Sequence, residues 1–135
     1  MAFLLKKVCA PAAGTSTSSK SRGDAAEEVA LRFLQQQGLK LVQRNYRTPG
    51  RGGGEIDLIL RDTDGTLVFV EVRQRASEAH GGAAASVSAA KQGRIVFAAR
   101  HFLLRCGAAP PPCRFDVVAV ERGNVQWLRA AFDAG

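Results

Sequence analysis

Cysteine is scarce and does not fall into pairs. Cys9, Cys106 and Cys113 are the only three, and none belongs to a Cys-x-x-Cys spacing, which excludes a zinc ribbon or a thioredoxin-type redox motif. Dispersed thiols in odd number suit a reduced chain, and a cytoplasmic location is expected. Long apolar runs are missing as well: no stretch approaches the roughly 20 residues of a membrane span. At the start, apolar residues 2–5 precede Lys6 and Lys7, the reverse of a secretory signal. No membrane partner is expected. Internal repeats are absent, which excludes a solenoid or propeller. Acidic side chains are also in deficit, 12 Asp and Glu against 19 Lys and Arg, for a net charge of +7. That surplus favours a polyanionic partner through phosphate contacts and counterion release, nucleic acid above all, although a merely basic surface gives the same total.

The 135 residues, 46% hydrophobic and 23% charged, have the size and composition of one globular domain. Residues 11–20, PAAGTSTSSK, are small and polar without periodicity, so residues 1–20 read as a flexible tail and 21–135 as the folded domain. From Ala25, the positions Ala26, Val29, Ala30, Phe33 and Leu34 recur at helical steps. Asp24, Glu27 and Glu28 suit the helix N-terminus, and Gly38 ends it. Leu39 to Tyr46 reads as a strand, followed by a basic, mobile loop rich in glycine. The runs 54–60, GEIDLIL, and 66–72, TLVFVEV, flank an Asp-Gly turn signal and form a hairpin. A second helix starts from Ser86 or Ser88 and stops at Gly107 and Pro110 to Pro112. Two further strands, 114–120 and 124–128, complete the order α-β-β-β-α-β-β, an α/β fold with a mixed sheet flanked by helices.

The hairpin carries the chemistry. Strand residues two apart share a face, so Glu55 and Asp57 are expected on one side with Ile56 and Leu58 on the other, and Glu71 shares a face with Arg73. A solvated polar face explains such alternation on its own. The turn adds information: a three-residue loop Thr63-Asp64-Gly65, with Gly65 left-handed, sets Asp57 opposite Glu71 and Glu55 opposite Arg73. A two-residue Asp64-Gly65 loop shifts the register and separates the carboxylates. In the first register the two carboxylates repel by a few tenths of a kcal/mol or more (~0.2–1), and a hard divalent cation with oxygen ligands is the natural compensation.

The segments GDAAEEVALRFL (23–34), GLKLVQRNYR (38–47), GGGEIDLILRD (52–62), LVFVEVRQR (67–75), GGAAASVSAAKQGRI (81–95) and RFDVVAV (114–120), in this order and spacing, resemble the YraN-like family of uncharacterised bacterial proteins. That family is similar in fold to the restriction-endonuclease-like superfamily and to Holliday junction resolvases, whose motif places an Asp on one strand and Glu-x-Lys on the next. The resemblance implies a metal-dependent nuclease acting on DNA, branched or otherwise structured, with Mg²⁺ or Mn²⁺ as cofactor and a homodimer as a further expectation. It puts the Asp on Asp57 and the Glu on Glu71, with Glu27 as the helical carboxylate and the Val72 carbonyl as a further ligand. The Lys position holds Arg73. A guanidinium stays charged, so Arg73 suits transition-state stabilisation and not proton transfer. That departure keeps a second reading open, a non-catalytic nucleic-acid-binding or adaptor protein on a nuclease fold.

Around this centre, Arg44, Arg47 and Arg51 are a candidate phosphate track, and Gln74, Arg75 and Lys91 are candidate nucleic-acid contacts. Gln74 and Arg75 are equally explained as solvated strand-end residues, and a single Lys such as Lys91 on a helix is more often a surface charge. Glu55 is either a ligand or a partner that orients Arg73. His80 is a possible ligand, but a loop histidine is more simply incidental where the site chemistry favours oxygen over imidazole, and Phe115 and Trp127 read as core rather than as base-stacking residues.

Overall fold

A computed structural model describes residues 21–50, 52–74, 87–107 and 109–134. The expected tail at 1–20, together with Arg51, Arg75 and His80, lies outside the described residues. The elements follow the expected order: α1 (Ser21–Gln36), β1 (Lys40–Arg47), β2 (Glu55–Arg61), β3 (Leu67–Gln74), α2 (Ala89–Cys106), β4 (Cys113–Glu121) and β5 (Asn124–Phe132). They build an α/β domain around one five-stranded sheet in the order β1-β2-β3-β4-β5. Neighbours are antiparallel except β3 and β4, which run parallel and are joined through α2. A parallel pair needs such a crossover.

The helices cover opposite faces of the sheet. Ala26, Ala30, Leu31 and Leu34 of α1 pack with Leu58, Leu60, Val68, Val70, Val118 and Val120. On the other face Ile95, Ala98, Ala99 and Phe102 of α2 pack with Ile56, Ile59, Phe69, Phe115 and Val117. Strands covered on both sides read as near-continuous apolar runs, which is why β3 and β4 are so rich in Val and Phe. Phe115 stacks on Phe69 and Phe132 with centroids 5.5 and 5.1 Å away. Trp127 meets the edge of Phe33 at 5.9 Å, so both aromatics serve the core as expected.

Helix ends follow local chemistry. At the end of α1, Gly38 has φ 99°, its N–H donates to the Gln35 carbonyl, and the Leu39 N–H donates to the Leu34 carbonyl. This paired closure satisfies the last carbonyls and brings Leu39 down beside Leu34 in the core. At the start of α2, Ser88 is the cap, its side chain accepting from the Lys91 N–H, which decides between the two serines. Gly107, with φ 72°, ends that helix.

Two sequence expectations, the shared face of Ile56 with Leu58 and the end of β5, are corrected. Ahead of them, the ends of the glycine loop before β2 are tied together: the Thr48 N–H donates to the Gly54 carbonyl at 3.0 Å, and the Gly54 N–H donates to Thr48 Oγ1 at 2.7 Å. Gly54 also lies so close to α2 that an added Cβ would strike the Arg94 carbonyl. Ile56 and Leu58 do not share a face: Ile56 packs toward α2 and Leu58 toward α1. The strand phase changes between them, at Asp57. Across the ladder Arg44 pairs with Leu58 and Tyr46 with Ile56, and the intervening Asn45 is left-handed, φ 49°. β5 runs to Phe132 and not to Leu128, because a bulge with Ala130 at φ 50° carries the strand onward.

Beyond the turn, Asp116 is fully buried. It accepts from Arg114 Nε at 3.0 Å, Trp127 Nε1 at 2.9 Å and the Ala130 N–H at 2.9 Å. Arg114 in turn donates to Asp62 at 2.9 Å. One buried carboxylate thus fastens the β5 bulge to the tip of the β2–β3 hairpin.

Candidate metal and phosphate site

The turn between β2 and β3 is the three-residue loop. Gly65 has φ 92°, its N–H donates to the Asp62 carbonyl, and the Asp62 N–H donates to the Thr66 carbonyl at 2.8 Å. The register follows, with Arg61 opposite Leu67 and Leu58 opposite Val70. Strand pairing stops there, one step before Asp57 and Glu71. In place of a ladder carbonyl, the Asp57 carboxylate takes the next available donor, the Val72 N–H, with Oδ2 at 2.8 Å. The phase change at Asp57 that misplaced Ile56 is therefore what turns this carboxylate into the gap between the strands.

Burial and its neighbours work against the charge on Asp57. Desolvation first, then the negative charges of Glu71, Glu27 and Glu55, raise its carboxyl well above the usual 3.8, and the Val72 N–H opposes them. Three carboxylates from three elements thus act on Asp57: Glu27 from α1, Glu55 from β2 and Glu71 from β3. Among the described residues no three His, Cys, Asp or Glu side chains close into a shared ligand set. The donor chemistry nevertheless fits a hard cation, since every candidate ligand is an oxygen and their mutual repulsion is what such an ion removes.

Glu71 is 4% exposed and is compensated by two cations. Arg73 Nη1 lies 3.4 Å from its Oε2, and Lys91 Nζ, from the first turns of α2, lies 3.6 Å from the same oxygen. Arg73 shares the face of Glu71, as the sequence indicates. The expected pairing of Glu55 with Arg73 is not formed: β2 and β3 have separated by that point, and Glu55 pairs with Arg47 across the β1–β2 ladder at 3.7 Å.

The structure divides the candidate phosphate track. Arg44 reaches Glu28 of α1 at 3.3 Å and Arg47 pairs with Glu55, so both guanidinium groups are engaged in ion pairs within the fold. Gln74 is exposed at the end of β3. Lys91, read from the sequence as a surface contact, sits at the carboxylates. Its place was not legible because β3 and α2 are brought together by the crossover and not by sequence spacing. The left-handed Asn45 was findable, since Asn is the non-glycine residue most at ease in that conformation and it stands in the middle of a strand pattern.

A family model described as "Uncharacterised protein family UPF0102" matches residues 26–120. That span includes Glu27, Asp57, Glu71, Arg73 and Lys91. A UPF0102 protein of Albidiferax ferrireducens is 72% identical over 117 residues, 87% of this chain and 91% of the relative. Another, of Paracidovorax citrulli, is 65% identical over 136 residues, spanning both chains completely. No helix among the described residues is long and apolar enough to cross a membrane. By the extent of the family match and by these identities, the chain belongs to the uncharacterised protein family UPF0102.

Proposed function

We propose that the protein is a metal-dependent nuclease acting on DNA, with structured or branched DNA as the substrate class. The observation that carries this reading is the Asp57 carboxylate, fixed by the Val72 N–H at 2.8 Å and crowded by Glu71, Glu27 and Glu55. A protein gains nothing in stability from such crowding. A divalent cation makes sense of it. Asp57 and Glu71 would hold Mg²⁺ or Mn²⁺, with Glu27 as an outer ligand. In an extended strand the N–H and C=O of one residue point to the same neighbour, so the Val72 carbonyl faces the same gap as its N–H and completes the oxygen set.

When bound, the ion would activate water and neutralise charge growing on the phosphorus. The chain's own residues do the rest. The Val72 N–H orients Asp57, while Arg73 and Lys91 bring two positive charges beside Glu71, where they attract and hold a phosphate. A guanidinium is a poor proton relay, so Arg73 acts by charge and hydrogen bonding alone.

Junction, flap and linear DNA incubated with Mg²⁺ or Mn²⁺ test this reading. Cleavage that disappears in Asp57→Ala is expected, and cleavage that persists in that variant refutes the site. A second reading, a DNA-binding protein without cleavage, is favoured by one specific observation: Glu71 is already compensated by Arg73 and Lys91. It predicts salt-dependent binding with no cleavage under either metal.

A further inference from the structure

Helix α2 has an outer face that stays exposed among the described residues. Ala90, Phe97 and Leu104 recur at seven-residue steps and so lie along one stripe. All three are exposed, Phe97 at 53% and Leu104 at 80%. At 100° per residue, Arg94 and Arg105 flank this stripe on one side and Arg100 on the other, and all three are exposed. The helix contains Lys91 and these three arginines and no Asp or Glu. The Arg105 guanidinium lies over the Tyr46 ring, 5.8 Å from its centroid, which keeps that charge at the helix end. The ridge leads to the site, since Lys91, about 21 Å from Arg105 along the helix at 1.5 Å per residue, pairs with Glu71.

The geometry points to this face as the surface that receives a nucleic-acid strand with unpaired bases: Arg94, Arg100 and Arg105 take its phosphates, Phe97 stacks a base, and the strand is led toward Lys91 and the carboxylates. The assignment rests on the nucleic-acid reading above. Charge complementarity selects the occupant. A face whose charges are all basic repels a second copy of itself and attracts a polyanion, while an exposed ring among arginines is a platform for bases, which stack in any sequence.

The test is fluorescence anisotropy of the full chain in EDTA, which separates binding from cleavage. The probes are a labelled single-stranded oligonucleotide and a duplex of the same length, each titrated at several NaCl concentrations. Arg94→Ala with Arg100→Ala is expected to lower the slope of log affinity against log salt by about 2, roughly one for each phosphate that is no longer neutralised. Arg32→Ala with Lys40→Ala, which removes the same charge from exposed positions elsewhere, should change it far less. Phe97→Ala is expected to weaken the single strand about 5-fold or more and the duplex less. If wild type binds but both double variants weaken it equally, the ridge is refuted and the nucleic-acid reading stands. If wild type binds neither probe at low salt, both fall. A dimer in size-exclusion chromatography that Phe97→Glu dissociates would assign the face to a second copy and overturn the proposal.

Discussion

Replacing Asp57 by Asn should make the metal-free protein more stable, although it removes a residue of the proposed site. The amide keeps an oxygen to accept the Val72 N–H, so the substitution removes charge and little else. What it removes is a partly buried anion facing Glu71, Glu27 and Glu55. Each like-charge neighbour costs a few tenths of a kcal/mol to about 1, and burial adds to that. A gain of about 1–2 kcal/mol at pH 7 is expected, or roughly 4 °C or more in Tm for a domain near 100 residues. The pH dependence has a defined sign. Asp57 is raised in the folded state, so the fold binds its proton more tightly than the unfolded chain does. Its burden is complete above the folded pKa and vanishes as pH falls to the ordinary 3.8. The gap between Asp57→Asn and wild type should therefore shrink as pH is lowered from 7 toward 4. Urea denaturation in EDTA across that range measures it, and Mg²⁺ should narrow the gap by stabilising wild type alone. A variant less stable than wild type at pH 7, or a gap that ignores pH, would refute the electrostatic account.

Two further substitutions test how the site is held. Asp116→Ala leaves Arg114, Trp127 Nε1 and the Ala130 N–H without their shared acceptor, and a loss of about 3–5 kcal/mol is expected, read by thermal or urea denaturation. Gly54→Ala drives a methyl group into the Arg94 carbonyl and should cost about 1–3 kcal/mol. Because the close approach at Gly54 seats the first half of α2, the substitution should also weaken the Lys91–Glu71 pair, a change visible as a shift of the Lys91 Nζ signal by NMR.

The hairpin register was legible because it depends on local chemistry: an Asp-Gly turn allows few loops, and Gly65 fits the left-handed position of one of them. Asp57 and Glu71 followed from that register. Glu27 entered through family resemblance, since nothing in the sequence tells which helical carboxylate faces a strand. The pairing of Glu55 with Arg73 was misread because simple alternation extends a ladder past the point where the real one ends. The left-handed Asn45 and the phase change at Asp57 break the period of two, and no alternation rule contains that break. Lys91 beside Glu71 depends on a parallel crossover, a tertiary fact. The bulge at Ala130 was equally hidden, because its determinant is a buried carboxylate on another strand.

The mixed sheet also implies an order of assembly. α1, β1, β2 and β3 follow one another with short connections, so their contacts close small loops at little entropic cost. The β3–β4 pairing, in which Leu67 meets Cys113, has to wait for the whole of α2 to be accommodated, and long-range parallel pairing is intrinsically slow. Glu27, Asp57 and Glu71 all belong to the early segment and Lys91 to the late one. The carboxylates are thus expected to gather first and to draw the basic helix onto the sheet, so that the feature that destabilises the finished site hastens its completion. Substitutions in the β2–β3 hairpin should then give higher φ-values than those in β4 and β5.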